Sequence, residues 1–185
     1  ADLRQTKHPA RGVTMKTTFA AAAGVALLTA TGCSQTETAP SEAAMVQQWA
    51  SDRSDFETIR QAVTMPPRIL RIERDEDGGL SVLPVDASRE RVATIGSLMQ
   101  RLGVDSVSTD LSLQPSVDFL VFEQAGRDRY ESRMFTHRPS DPPTETVASI
   151  DSVIRSDPDA DHTVFMSLGE SWYIRASSIP AASRQ

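Results

Sequence analysis

Strand-like segments come in pairs along this sequence, and that pairing constrains the fold more than any other feature. Arg68 to Glu73 (RILRIE) and Leu80 to Val85 (LSVLPV) alternate in polarity on either side of Asp75-Glu76-Asp77-Gly78-Gly79, whose Asp-Gly step is a hairpin signal. Val117 to Glu123 (VDFLVFE) is the most strongly apolar run and reads as a central strand. Through Ala125 to Asp128 it joins Arg129 to Thr136, where Tyr130, Ser132, Met134 and Thr136 share one face. His162 to Leu168 and Trp172 to Ala176 (WYIRA) flank the turn Gly169-Glu170-Ser171, and period two puts Trp172 and Tyr173 on opposite faces. Val104 to Asp110 alternates weakly and reads as an edge or short strand. Hairpins without βαβ alternation require an antiparallel sheet.

Helical spacing fills the gaps. Ser54 and Glu57 form a capping box ahead of Phe56, Ile59, Ala62 and Val63, and Pro66-Pro67 stops that helix. Ser88 opens a second, with Val92, Ile95, Leu98, Met99 and Leu102 as its buried stripe and Gly103 as its left-handed terminator. Val147, Ile150, Val153 and Ile154 fit a short helix or a strand, after the proline-rich connector Pro139 to Thr144. The expected fold is α+β, with two or three helices packed on one face of an antiparallel sheet over residues 54–178. The chain from Ser177 onward is polar and reads as a frayed end, with residues 179–185 as a disordered tail.

Ahead of that domain, Lys16 precedes a run from Thr17 to Thr31 without charge or proline, alanine-rich, with leucine only at Leu27 and Leu28. It falls short of the ~20 apolar residues of a stable membrane span and fits the apolar core of a secretory signal. Ala30-Thr31-Gly32-Cys33 at its end resembles the lipobox of bacterial lipoproteins. That resemblance covers Met15 to Cys33 and implies cleavage before Cys33, a diacylglycerol on its thiol and permanent attachment to a membrane. The family favours leucine where Ala30 stands, and Ala30-x-Gly32 would also suit ordinary signal peptidase, leaving a free thiol. Ser34 after the cysteine implies, by the same resemblance, the outer membrane of a two-membrane cell. Residues 1–32 are thus expected to be leader and signal peptide. Residues 33–53 are expected to be a tether carrying a short helical pattern at Met45, Val46 and Trp49.

Charge excludes several functions. The chain has 19 basic and 25 acidic residues; without Arg4, Lys7, Arg11, Lys16 and Asp2 the remainder holds 15 against 24, a net charge of −9. Such a chain repels nucleic acid. Both lysines lie in the leader, so the remainder can use neither Schiff-base chemistry nor a P-loop lysine. His137 and His162 have no metal-ligand spacing, and Gly169 to Tyr173 lacks the second glycine of a nucleophile elbow. Asp157, Asp159 and Asp161 miss a calcium loop, because His162 replaces its glycine and Leu168 its bidentate glutamate. No catalytic residue, cofactor or metal site is therefore assigned.

Four residues are candidates for a partner surface, each with a plainer reading. Trp49 and Trp172 could anchor a partner or pack in the core. Arg129 and Arg133 belong to a basic concentration with Arg127, His137 and Arg138, yet Glu123, Asp128 and Glu131 are interleaved as on a solvated hairpin. From Phe56 to Arg175 the order of parts resembles small domains borne by many bacterial envelope proteins, which adds a fold expectation and no activity. The expected function is that of a membrane-anchored envelope lipoprotein, a non-catalytic binding or accessory module whose partner is an envelope protein or glycan. A periplasmic hydrolase of glycan or peptide and an immunity- or inhibitor-type protein are the alternatives.

Overall fold

The computed structural model describes residues 38–181 except 76 and 85; Cys33 lies outside the described residues. Ten elements follow in order: α1 (Glu42–Thr64), β1 (Arg71–Arg74), β2 (Leu80–Leu83), α2 (Arg89–Leu102), β3 (Ser106–Thr109), β4 (Val117–Ala125), β5 (Arg129–His137), α3 (Ile150–Ser156), β6 (His162–Gly169) and β7 (Trp172–Pro180). The strands form one seven-stranded sheet in the order β2-β1-β3-β4-β5-β7-β6, antiparallel at every pairing. With three helices on the sheet, the fold is α+β as the hairpin pattern requires. β4 is central, whereas β3 is short but interior, between β1 and β4.

One transverse row organises the core. Val82, Ile72, Val107, Phe119, Phe135, Ile174 and Met166 are register partners in succession, so a continuous apolar line crosses all seven strands. All but Val82 are buried, and Val82 packs against the same cluster. Trp49 and Phe56 of α1, Ile95, Met99 and Leu102 of α2, and Ile150 of α3 complete that cluster. Phe56 sits at its centre, 4.6 Å from the Phe135 ring and 5.4 Å from Phe119. Offset and edge contacts of this kind add to the free energy of burying the rings themselves.

Two expectations are corrected. Helix α1 does not begin at Ser54: it starts at Glu42, with the Ser41 side chain accepting the Ala44 N–H, and runs unbroken for 23 residues. Much of the segment read as tether is therefore packed helix. Its buried positions, Met45, Trp49, Phe56, Ile59 and Val63, are one stripe interrupted only where Asp52 falls. The other correction lies at the far end. Read as polar tail, Ser177 to Pro180 instead extends β7, with Ile179 opposite Tyr130 and Pro180 opposite Arg129. Ser177 and Ser178 are buried there, their backbone satisfied by pairing with β5 and β6.

Helix α2 ends as its sequence predicts. Gly103 adopts φ 61°, Val104 N–H donates to the Met99 carbonyl and Gly103 N–H to that of Gln100. These are the paired bonds of a Schellman motif, with Val104 and Met99 both buried. Helices α1 and α3 cap each other. The Glu42 carboxylate accepts from the Ile150 and Asp151 amides at 2.7 and 3.3 Å, and Asp151 accepts from the Glu42 amide at 3.1 Å. Each helix thus supplies the acceptor that the other's first turn lacks.

Candidate functional site

The two sheet faces differ in kind. Residues alternating with the apolar row point away from the helix-bearing side, and two of their rows carry polar groups: Arg71, Ser108, Asp118, Thr136, Tyr173 and Ser167 in one, Glu73, Ser106, Leu120, Met134, Arg175 and Phe165 in the other. Over this outer face opens a cavity of about 430 Å³, lined by Ser108, Thr109, Asp110, Ser112, Ser116, Asp118, Arg138, Ser140, Asp141 and Arg175. A second hollow of about 180 Å³ shares Ser108 and Asp118 with it and reaches Glu123 and Tyr130.

The cavity rim is pinned in place. Asp110 accepts the Ser112 amide at 2.9 Å and the Ser116 amide at 3.1 Å, closing the loop between β3 and β4 upon itself. Burial would raise the Asp110 carboxyl, but the hydrogen bonds from Ser112 and Ser116 outweigh it and hold the pKa below the ordinary aspartate value. Arg68 donates to the Ser112 carbonyl at 2.6 Å, and Ser140 to that of Gln114 at 2.9 Å, so the segment after β5 is tied to the same loop. Leu111 and Leu113, at 76% and 97% exposure, stand on the outside of this rim.

Two guanidinium groups meet over one ring. Arg138 lies 5.6 Å and Arg175 5.9 Å from the Phe165 centroid, and Phe165 in turn meets Tyr173 edge-on at 6.5 Å. Arg138 pairs with Asp141. The Nε atoms of both arginines, and Thr136 Oγ1 between Asp118 and Tyr173 in the register, are buried without a hydrogen-bond partner among the described residues. Buried donors without acceptors are costly, and these cluster beside a cavity.

The four residues proposed from sequence as a partner surface do not form one. Trp172 is fully buried and Trp49 nearly so, with their rings 4.6 Å apart. Trp172 Nε1 donates to Glu57 at 2.8 Å, and Glu57 accepts Arg60 at 2.7 Å. Burial raises the Glu57 carboxyl, yet these hydrogen bonds and the Arg60 charge carry it below its usual value. Arg133 pairs with Asp151 at 3.2 Å, its side chain only 11% exposed, and Arg129 donates to the Ser178 hydroxyl. Both arginines alternate with Tyr130, Ser132 and Met134, and so lie on the helix-bearing side of β5. The basic concentration is thereby divided between faces: of its members, Arg138 alone lines the outer cavity.

The histidines are far apart. His137 is opposite Trp172 and His162 opposite Ser178, which places them roughly 20 Å apart along β7 at ~3.4 Å per residue. His137 packs against the Trp172 ring at 5.0 Å, and burial together with the Arg60 charge lowers its pKa, Glu57 opposing in part. Among the described residues no three His, Cys, Asp or Glu side chains converge to hold a metal ion. An apolar groove of about 400 Å³ beside α2, lined by Leu80, Val82, Ala87, Arg89, Val92 and Ala93, offers no group for chemistry beyond one arginine.

Sequence reasoning missed Asp110, Asp118 and Arg175. The alternation that puts Asp118 on the other face from Phe119, and Arg175 on the other face from Ile174, is local; the register that brings them to one cavity is not. No helix among the described residues is long and apolar enough to cross a membrane. No protein-family model matches the chain, and neither curated proteins nor solved structures give a match.

Proposed function

We propose that the protein is a non-catalytic binding module of a bacterial cell envelope, fixed to a membrane through lipid on Cys33, with the outer sheet face as its receptor surface. The hollowed face carries this reading: helices cover one side of the sheet, and the other is open and lined by hydroxyls and charged groups fixed by hydrogen bonds. A hydrolase is less well supported. A general acid needs a carboxyl kept protonated, whereas Asp110 is held ionised, Asp141 is paired with Arg138, and the histidines stand far apart. Lipobox-like residues before Cys33 support the anchor, and Ser34 supports an outer-membrane address.

The test has two arms. Growth with an alkyne analogue of palmitate is expected to label the wild-type chain and leave Cys33→Ala unlabelled; an unlabelled wild type removes the anchor. For binding, the detergent-solubilised, isotopically labelled protein is titrated with a soluble digest of envelope peptidoglycan. Amide shifts at Ser108, Asp118, Arg138 and Arg175 are expected. No shift on the outer face at saturating digest removes the receptor surface.

A further inference from the structure

Among the described residues, the charges lining the outer cavity do not all find charged partners, and those left over are one of each sign. Asp110 is taken up by two backbone amides, Asp141 by Arg138. Asp118 has no hydrogen bond or ion pair from its side chain among the described residues. Among the described residues Arg175 makes no ion pair: its Nη1 donates only to the weak acceptor Met134 Sδ at 3.8 Å, its guanidinium is over Phe165, and its Nε is buried without an acceptor. β5 stands between the strands that carry these two residues, and their partners on it, Thr136 and Met134, are two residues apart, so two spacings of ~4.8 Å and two residues of ~3.4 Å put about 12 Å between their backbones.

We propose that this cavity receives a small zwitterion of the amino-acid class, its ammonium group at Asp118 and its carboxylate at Arg175. The inference deepens the binding-module reading and rests on it. A simple anion would gain Arg175 but face three carboxylates against two guanidinium groups. A bare cation would face Arg138 and Arg175 without a converging set of ligands. A neutral sugar would satisfy the serines and leave both charges unmatched. One molecule with both charges matches both, and Phe165 packs against the Arg175 guanidinium that would receive the carboxylate. The volume, about 430 Å³, lies at the small end of ligand sites and suits an amino acid or a dipeptide.

The experiment titrates the processed, solubilised protein with glycine, D-alanine, L-alanine and 4-aminobutyrate, with acetate, methylammonium and phosphoethanolamine alongside, following amide shifts of outer-face residues. At least one amino acid is expected to saturate, with acetate or methylammonium binding at least about tenfold more weakly, because each lacks one charge-assisted hydrogen bond. Asp118→Asn and Arg175→Gln are each expected to weaken that amino acid about tenfold or more while the melting temperature stays within about 2 °C. Saturation by acetate or methylammonium alone, or preference for phosphoethanolamine, overturns the assignment. So does undiminished binding in both variants. If the envelope digest shifts the outer face and no amino acid does, the zwitterion is wrong and the binding module stands; if neither does, both fall.

Discussion

At the scale of residues, the two titratable groups that touch Trp172 add to the acid side of this protein's stability in separate windows. His137 is a base whose folded pKa lies below 6.5, since burial first and the Arg60 charge second disfavour its protonated form. The unfolded chain therefore binds the proton first, and stability present above pH 6.5 is lost as pH falls from there toward the folded value. Glu57 is an acid with a folded pKa below 4.5, so its contribution is present above pH 4.5 and lost as pH falls through the folded value. Urea midpoints measured from pH 7.5 to pH 5 are expected to fall for the wild type and to stay nearly level for His137→Gln. A wild-type midpoint that is flat over this range contradicts the burial of a neutral imidazole against Trp172. Trp172→Phe tests the neighbouring bond: it leaves a gap beneath Trp49 and takes the indole N–H from Glu57. A loss of about 2 kcal/mol in denaturant unfolding is expected, and a loss under about 0.5 kcal/mol would mean the Glu57 contact contributes nothing.

At the scale of elements, what could be read in the sequence and what could not divides along one line. Period-two alternation is local, so the three hairpins, the central place of β4 and the Gly103 terminus of α2 were legible. Features that depend on distant partners were not. Asp52 occupies a stripe position of α1, and Ser51 to Asp55 is polar, so one helix read as a tether followed by a helix. Ser177 and Ser178 looked like tail because only β5 and β6 beside them show that the strand continues. The candidate cavity failed for the same reason: its lining comes from β3, β4, β7 and two connecting segments, joined by register alone. The first half of α1 can be tested as part of the domain. It contributes Met45 and Trp49 to the core and Glu42 to the start of α3. Burial of two large side chains stabilises by roughly 3–6 kcal/mol, a large share of a total of about 5–15 kcal/mol. A chain starting at residue 38 is expected to unfold in one cooperative transition, and one starting at residue 54 to show none by near-UV circular dichroism. Cooperative unfolding of the shorter chain with a midpoint close to the longer one would return residues 38–53 to the tether.

At the scale of the whole molecule, a single sheet serves two environments, and that arrangement sets where stability is concentrated. β4, β5 and β7 are nine residues each and pair along most of their length, whereas β1, β2 and β3 are four residues each. Phe119 and Phe135 pack against Phe56, with Ile174 fully buried in the row beside them, while β2 is an outer strand with Leu83 59% exposed. Opening the β1-β2 hairpin exposes little apolar surface; opening the three long strands exposes the core and requires global unfolding. Native-state hydrogen exchange should therefore give the full unfolding free energy at the amides of the long central strands, and lower values that respond weakly to denaturant in β1 and β2. β6 is the other edge, but Val147 N–H donates to the Phe165 carbonyl at 2.8 Å and its eight residues pair with β7, so its protection should lie between the two. Arg175 and Asp118 of the outer cavity belong to two of the long strands, β7 and β4. The outer face rests on the core behind it, so if it binds a ligand as proposed, binding should leave the β1-β2 hairpin's exchange unchanged while slowing that of the rim loop from Asp110 to Ser116. Exchange that is uniform across the sheet would remove the argument that the long strands form the stable platform for that face.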